Sequence, residues 1–293
     1  MITRENQFRA SLIIVVLFLM LFHVSISSAF YLPDTGQTKC YGSTGTGKLI
    51  TCPAPGQSLA QDGSYTTNPP SYTVNNDGTV FDNNTWLTWQ KQDDGVTRTW
   101  DNAKNYCSNL TFGGHDDWRL PSKKELESIV NYGKYAPAID LQIFPNTKSG
   151  NYWSDTPYAG DMSKTWIVSF TNGSMSASAN TTLASARCVR GGPLEYDDFY
   201  MTAYAPVNKS TNLMWDDNIT TTRGSFTMTW ADALAACESL NIDPYSDWRL
   251  PNVKELESLT DDMRSNPSVA NGYFSNISSS NYWTSTNYWN KNM

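Results

Sequence analysis

Apolar residues recur along this chain at helical spacing, and the same pattern occurs twice. The residues concerned lie at i, i+3, i+7 and i+10: Trp100, Ala103, Cys107 and Leu110, and again Trp230, Ala233, Cys237 and Leu240. This spacing places each set on one face of a helix. Thr99 and Thr229 precede the two sets and suit the N-cap position. The pattern therefore predicts two equivalent amphipathic helices.

A second helix is predicted after each Leu-Pro pair. Ser122 with Glu125, and Asn252 with Glu255, have the spacing of a capping box, in which each residue bonds the backbone of the other. Apolar residues follow at a helical interval: Leu126 with Ile129, and Leu256 with Leu259. Each helix is therefore expected to bury one side.

The remaining apolar positions indicate short strands. One hairpin is predicted where 72–74 and 79–81 flank Asn76-Asp77-Gly78, and another where 166–170 meets Asn172-Gly173, since Asn-Gly and Asp-Gly favour tight hairpin turns. Further strands are predicted at 152–154, 174–179 and 186–190. The predicted fold class is α+β, with two helices against a small, mostly antiparallel sheet.

The chain matches itself at an offset of 130. Residues 117–128 (DWRLPSKKELES) correspond to 247–258 (DWRLPNVKELES), and no gap is needed between Trp100 and Thr156. Upstream, 87–89 corresponds to 213–215 at an offset of 126. Two long units indicate tandem domains rather than a solenoid. A counterpart of Cys188 would fall beyond Met293, so we expect the second copy to be incomplete, with an unpaired sheet edge that favours self-association.

The N-terminus indicates export. Arg4 and Arg9 precede an apolar run at 12–24, and small residues at 27–29 suit a cleavage site, so 1–29 is predicted to be a signal peptide. An uncleaved N-terminal anchor is the alternative, although the run is shorter than the roughly 20 residues of a membrane span. No second run of that length follows. The predicted location is secreted or periplasmic. The predicted divisions are 1–29, a disulfide-containing segment at 30–72, the first domain at 73–192, a linker at 193–204 and the second domain at 205–293.

All five cysteines lie after the predicted cleavage site, where an oxidising compartment favours disulfides. Sequence alone does not fix their connectivity. Our hypothesis joins Cys40 with Cys52 and Cys107 with Cys188, and leaves Cys237 outside a disulfide because its partner strand is missing.

Composition excludes two classes of function. The chain carries 21 basic and 28 acidic residues, a net charge of −7, so it has no overall attraction for nucleic acid or anionic membrane. Aromatic residues make up 13% of the chain, which indicates a packed core rather than disorder.

Together, the DWRLP segments, the Tyr-Trp-Ser/Thr-x-Thr segments and Arg187-Cys188-Val189-Arg190 resemble the Lcl C-terminal domain family, named for a Legionella collagen-like adhesin. The resemblance covers about 73–192 fully and 205–293 in part. It implies a C-type-lectin-like layout with a disulfide from the first helix to the last strand. It also implies a surface adhesin module that binds sulfated glycans.

Sulfate recognition requires clustered cations, and the chain offers only Lys123 and Lys124 as candidate contacts. We favour a solvated helix start for this pair, since runs of charge are usually solvated. Most tryptophans occupy core-like positions: Trp100, Trp118, Trp153 and their counterparts. Trp86, Trp166 and Trp289 are the tryptophans left as candidates to face a ligand.

Other chemical motifs have structural interpretations. The segment 42–48 imitates a phosphate-binding loop, but Leu49 replaces the hydroxyl residue that holds magnesium. His115 is predicted to be a loop residue, and Asp116 and Asp117 are weak candidates for calcium, since no spaced set of oxygen ligands accompanies them. Arg119 and Arg249 are predicted to bridge loop carbonyls or a carboxylate.

The sequence therefore predicts a non-enzymatic, cofactor-free binding module for glycan or another extracellular polymer. The alternative is a cell-envelope or protein-interaction scaffold. An enzyme ranks third, because Glu125 and Glu127 point to different faces of one predicted helix and no other carboxylate pair is evident.

Overall fold

The computed structural model describes residues 30–42, 47–196, 198–216, 228–269, 272–274 and 277–288. The predicted signal peptide and Trp289 lie outside these ranges. The described residues form an α+β fold with four α-helices and several small antiparallel sheets, which confirms the predicted fold class.

The N-terminal segment is a small disulfide-closed unit. Strands β1 (Cys40–Tyr41) and β2 (Leu49–Ile50) pair antiparallel, and the Cys40–Cys52 disulfide closes them. A short 3-10 helix follows at Asp62–Ser64. The imitation phosphate loop connects β1 and β2, and its residues 43–46 lie outside the described ranges.

The first copy contains two sheets and two helices. One sheet has the strand order β3-β4-β5-β9, and the other has the order β6-β7-β8. The strands are β3 (Tyr72–Val74), β4 (Thr79–Asp82), β5 (Thr88–Gln90), β6 (Asn151–Pro157), β7 (Lys164–Ser169), β8 (Met175–Ala179) and β9 (Val189–Arg190). The helices are α1 (Trp100–Ser108) and α2 (Lys123–Ser128). Each strand predicted for this copy has a counterpart, although the one predicted at 186–190 is shortened to Val189–Arg190.

The second copy repeats this order in its described part. Strands β10 (Phe199–Met201) and β11 (Pro206–Asn208) form a hairpin, and helices α3 (Trp230–Glu238) and α4 (Val253–Ser258) follow. Both predicted capping boxes form, at the starts of α2 and α4. At the first helices the two copies differ, since Thr229 caps α3 with its side chain and Thr99 makes no such bond to α1.

The Cys107–Cys188 disulfide ties α1 to the residue that directly precedes β9. Both sulfur atoms are buried in a cluster with Trp118 and Trp153. A second cluster surrounds Trp89 and contains the apolar side of α2. The predicted pairing of four cysteines is therefore confirmed, and Cys237 takes part in neither disulfide.

The core prediction is wrong for Trp283, although it is correct for its counterpart Trp153. Trp153 is fully buried because β7 pairs with β6 and Ile167 lies opposite it. Trp283 is 52% exposed, and no strand pairs with residues 281–284 in the part of the second copy that the structure describes.

Candidate functional site

The two copies pack against each other through equivalent helices, α2 and α4. Two lysines at the same repeat position cross this contact in opposite directions. The Lys254 ammonium donates hydrogen bonds to the carbonyls of Ser128 (2.8 Å) and Asp34 (3.0 Å), and Lys124 donates to the carbonyl of Thr260. Both lysines are buried. The contact between the copies is therefore reciprocal and polar.

Lys123 belongs to the same interface. Its side chain is 4% exposed and forms ion pairs with Glu257 and Asp262 of the second copy. Its ammonium group also lies 4.6 Å from the centre of the Trp166 ring. The expectation that Lys123 and Lys124 mark a solvated helix start is wrong, because the second copy covers that surface. Both ammonium groups already interact with the second copy, so neither is available as a ligand contact.

Burial shifts the acid–base chemistry of this interface. Glu127 accepts a hydrogen bond from the Tyr132 hydroxyl (2.7 Å), and burial together with the charge of Glu257 raises the pKa of Glu127. Burial also lowers the pKa of Lys254 against the attraction of Glu127. Both shifts act against the charged forms, as low dielectric surroundings require.

Arg119 and Arg249 have the scaffold role that the sequence predicts. Arg119 forms a bidentate pair with Glu125 (2.6 and 2.7 Å), and Arg249 forms the same pair with Glu255 (2.6 and 2.5 Å). Each glutamate also completes a capping box. Both carboxylate oxygens of Glu125 thus accept hydrogen bonds from the protein itself.

A cleft of about 510 Å³ opens beside this interface. Its lining combines acidic, apolar and hydroxyl-bearing side chains, among them Glu195, Asp198, Asp262 and Met263. Asp198 pairs with Lys209, and Asp262 pairs with Lys123. The carboxylates of the cleft are thus already partly neutralised by the protein's own cations.

Trp86 lies in a different place, on the turn that joins β4 to β5. Its side chain is 43% exposed, and its backbone adopts φ +59°, in the left-handed region. This conformation costs an L-residue roughly 1–2 kcal/mol, and only glycine, asparagine and aspartate adopt it routinely. A tryptophan in this position is therefore strained and exposed at the same time.

The second copy shows that the turn, rather than the tryptophan, demands this backbone. At the offset of 126, Trp86 corresponds to Asn212, which has φ +56°. Asparagine is a residue that suits the left-handed region. The first copy therefore keeps an indole where its own duplicate has the residue that the backbone favours.

Polar and aromatic groups surround Trp86. The Tyr31 backbone N–H donates to the Asn84 carbonyl (3.0 Å), which brings the 61% exposed Tyr31 to this turn. Asn83 is exposed, and the amide of Asn84 donates to the carbonyl of Asn68 (3.1 Å). Two exposed aromatic residues, Trp86 and Tyr31, thus lie at this turn together with the exposed Asn83. We refer to Tyr31, Asn83 and Trp86 as the Trp86 surface.

Trp166 is not a second open platform. Its ring is half-buried and packs edge-on against Tyr158, with centroids 5.3 Å apart, while Lys123 lies over it. The structure therefore brings Trp166 and Lys123 together at the interface between the copies and places Trp86 on a separate turn. Of the four candidate contacts, Trp86 has the side chain with the most exposure.

The sequence interpretation missed Tyr31 and Asp82. Asp82 begins the Trp86 turn and is fully buried. A signal for it existed in the repeat, because 82–87 (DNNTWL) aligns with 208–213 (NKSTNL). In the second copy, Asn208 stands in place of Asp82 and Asn212 stands in place of Trp86. Tyr31 has no such signal, since the segment before residue 72 is not repeated.

Metal chemistry receives no support from the described residues. None of the described His, Cys, Asp and Glu side chains form a group of three or more arranged to hold a metal ion. Asp117 pairs with Arg190 (2.7 Å), which lowers the pKa of Asp117. Within the described ranges, no helix has the length and apolar character needed to cross a membrane.

Comparison with known proteins identifies one family. The model of the Lcl C-terminal domain matches residues 78–190 and 207–293, so the match follows the two copies. No curated protein matches the chain. Since the matched segments cover well over half of the sequence, the chain belongs to the Lcl C-terminal domain family, with two tandem copies of the domain.

Proposed function

We propose that this protein is an exported, non-enzymatic binding module of the adhesin type, and that it binds glycan through the Trp86 surface. The observation that carries the proposal is the exposed indole of Trp86 at a left-handed backbone position. The equivalent position of the second copy has the same backbone conformation and is occupied by Asn212. Strained residues persist where the surrounding structure enforces them, and they cluster at ligand sites. The family match supports an adhesin-related role.

The chemistry of the Trp86 surface suits a sugar ring. An indole offers a large, rigid apolar face with one polar edge. Sugar rings present C–H groups on their faces and hydroxyls at their edges. Trp86 and Tyr31 supply apolar area. The Asn83 amide accepts from the Thr73 hydroxyl (3.1 Å) and donates to the Ser71 hydroxyl (3.0 Å), which leaves it one N–H and one lone pair for a ligand.

Uncharged sugars fit this site better than sulfated ones. A sulfate group calls for Arg or Lys in charge-assisted contacts. The pair of lysines that the sequence offered for this purpose, Lys123 and Lys124, is buried between the copies. The proposed ligand is therefore a neutral glycan, in contrast to the sulfated glycans that the family resemblance implies.

The proposal includes a C-type-lectin-like layout for each copy. The supporting features are the two helices, the small irregular sheets and the Cys107–Cys188 disulfide between α1 and the region of β9. Export is supported by the two disulfides, which form and persist in oxidising compartments.

The test is a glycan-array screen of the purified protein beside its Trp86→Asn variant. Asparagine reproduces the second copy at this position, so we expect loss of glycan binding without loss of stability. Relief of the left-handed strain is worth roughly 1–2 kcal/mol. The matched control is Trp283→Asn, which removes an exposed indole from another surface and is expected to keep binding. Undiminished binding by Trp86→Asn contradicts the proposal.

A protein-interaction scaffold is the second candidate, and one observation favours it. Tyr204 and Tyr245 are both exposed, and their rings meet edge to face with centroids 5.7 Å apart. Tyr200 and Met201 of β10 are exposed as well. Exposed tyrosine is typical of binding surfaces for protein partners. A pull-down from an envelope extract that depends on Tyr204, together with no glycan binding, favours the scaffold.

A further inference from the structure

We infer that Asp82 is a positioning residue for Trp86, and that it holds the binding turn in place only while its carboxyl group carries a proton. This inference rests on the proposed function, because it describes how the same site is regulated. It predicts a glycan affinity that falls as the pH rises.

Asp82 organises the Trp86 turn with three of its atoms. Its Oδ1 accepts hydrogen bonds from the backbone N–H groups of Asn84 (2.9 Å) and Thr85 (3.4 Å). Its carbonyl oxygen accepts the N–H of Trp86 (2.8 Å), and its own N–H donates to the Leu87 carbonyl (2.8 Å). The position of Trp86 therefore depends on Asp82.

The second carboxyl oxygen of Asp82 is the anomaly. Oδ2 is buried and has no hydrogen-bond partner among the described residues, and Asp82 as a whole is inaccessible to solvent. An unpaired ionised oxygen is costly to bury, whereas a protonated carboxyl group is neutral. The geometry thus favours the acid form.

The second copy supplies an internal reference for this position. Asp82 corresponds to Asn208, which is equally buried. Asn208 Oδ1 accepts the N–H of Thr211 (2.8 Å), and its Nδ2 donates to the Tyr196 carbonyl (2.5 Å). An amide has one acceptor atom and one donor atom, as does a protonated carboxyl group. The neutral acid at Asp82 therefore matches the charge and the acceptor of Asn208, while among the described residues its Oδ2 has no counterpart of the Tyr196 carbonyl.

Groups from three other parts of the chain bear on the charge of Asp82. Tyr72 lies opposite it in β3, Tyr196 approaches from the linker, and Lys254 contributes positive charge from α4. Burial raises the pKa of Asp82 despite the backbone donors of Asn84 and Thr85, the Thr85 hydroxyl and the charge of Lys254, so the neutral form persists above the usual range of an aspartate. Once ionised, Oδ2 must gain water, and the turn opens to admit it.

The experiment measures the affinity for the best glycan of the array between pH 4 and 8. We expect the affinity of the wild-type protein to fall with rising pH, at most about tenfold per pH unit, the limit for one proton. Asp82→Asn keeps the low-pH affinity and loses this dependence. Asp62→Asn removes another buried acid and is expected to keep the wild-type pH profile.

The outcomes separate this inference from the proposed function. Constant wild-type affinity across the range, with loss of binding in Trp86→Asn, overturns the role of Asp82 and keeps the site. If the wild-type protein binds no glycan, the role of Asp82 is tested by amide hydrogen exchange at Thr85 and Trp86. The exchange rates are corrected for their intrinsic pH dependence. Protection that declines with pH in the wild type and not in Asp82→Asn supports the inference, and equal protection in both overturns it.

Discussion

The ammonium group of Lys254 donates a 2.8 Å hydrogen bond to the carbonyl of Ser128, across the contact between the two copies. At the same position in the first copy, Lys124 reaches the carbonyl of Thr260. Lys254 thus satisfies a carbonyl in the last turn of α2, where carbonyl groups lack partners within the helix, and Lys124 satisfies one that lies two residues beyond the end of α4. The two copies are therefore parts of one folded unit.

Replacement of Lys254 by methionine is expected to lower the free energy of unfolding by about 2–4 kcal/mol, because it leaves the buried carbonyls of Ser128 and Asp34 without their donor. Urea denaturation measures this change. Lys134→Met is the control, since Lys134 is 44% exposed in its pair with Asp140 and such pairs contribute about 0–1 kcal/mol. Equal effects in the two variants contradict the structural role of Lys254.

The stability of the protein is expected to fall as the pH rises from about 4 to 6. Asp62 accepts hydrogen bonds from Thr35 and Thr286 (both 2.7 Å), and burial raises its pKa from 3.8 to about 6. The folded state therefore binds more protons than the unfolded state in this interval, so rising pH weakens it. Thermal unfolding at several pH values checks this. In Asp62→Asn the slope should decrease, and an unchanged slope contradicts the assignment.

Arg119→Lys is expected to destabilise the protein by about 1–3 kcal/mol. A lysine ammonium cannot reproduce the two parallel bonds to Glu125, whose side chain is inaccessible to solvent. Arg190→Lys is the matched control, because its partner Asp117 is 56% exposed. Denaturant titration of both variants measures the difference, and a loss below about 0.5 kcal/mol for Arg119→Lys, the range of ordinary surface changes, disagrees with this expectation.

The two disulfides are expected to differ in their contribution to stability. Cys107 and Cys188 are 81 residues apart, and Cys40 and Cys52 are 12 apart. The chain-entropy treatment gives about 4 kcal/mol for the long loop and about 3 kcal/mol for the short one. Paired Cys→Ser variants and calorimetry test this order. If removal of the Cys40–Cys52 disulfide causes the larger loss of stability, native contacts rather than the entropy of the unfolded chain determine the contribution of the disulfides.

Local patterns were sufficient to predict the elements of the first copy. The capping boxes, the Asn-Gly turn and the spacing of Trp100, Ala103 and Cys107 act within a few residues, so the sequence displays them directly. The environment of Lys123 was not predictable in this way. Its partners Glu257 and Asp262 lie more than 130 residues away in the chain, and a local charge pair looks the same whether water or a second domain covers it.

The candidate site was partly visible in the sequence. Trp86 stood out because no helical or strand pattern assigned it to the core. Its strained backbone and the burial of Asp82 were hidden, because both depend on the three-dimensional turn. Both features were recognised by comparison with Asn212 and Asn208 of the second copy. That comparison requires the backbone angles as well as the sequence alignment.

The contact between Gln37 and Asn287 has a consequence for the order of folding. Gln37 accepts the backbone N–H of Asn287 (2.9 Å) and donates to its carbonyl (2.5 Å), across 250 residues of chain. Contacts between distant residues form late, because the intervening loop must close first. A chain that emerges N-terminus first can pack residues 30–72 against the first copy before the second copy has been made, as the bond from the Tyr31 N–H to the Asn84 carbonyl shows. The bonds to Asn287 form only afterwards, so they join the second copy to a segment that already contacts the first.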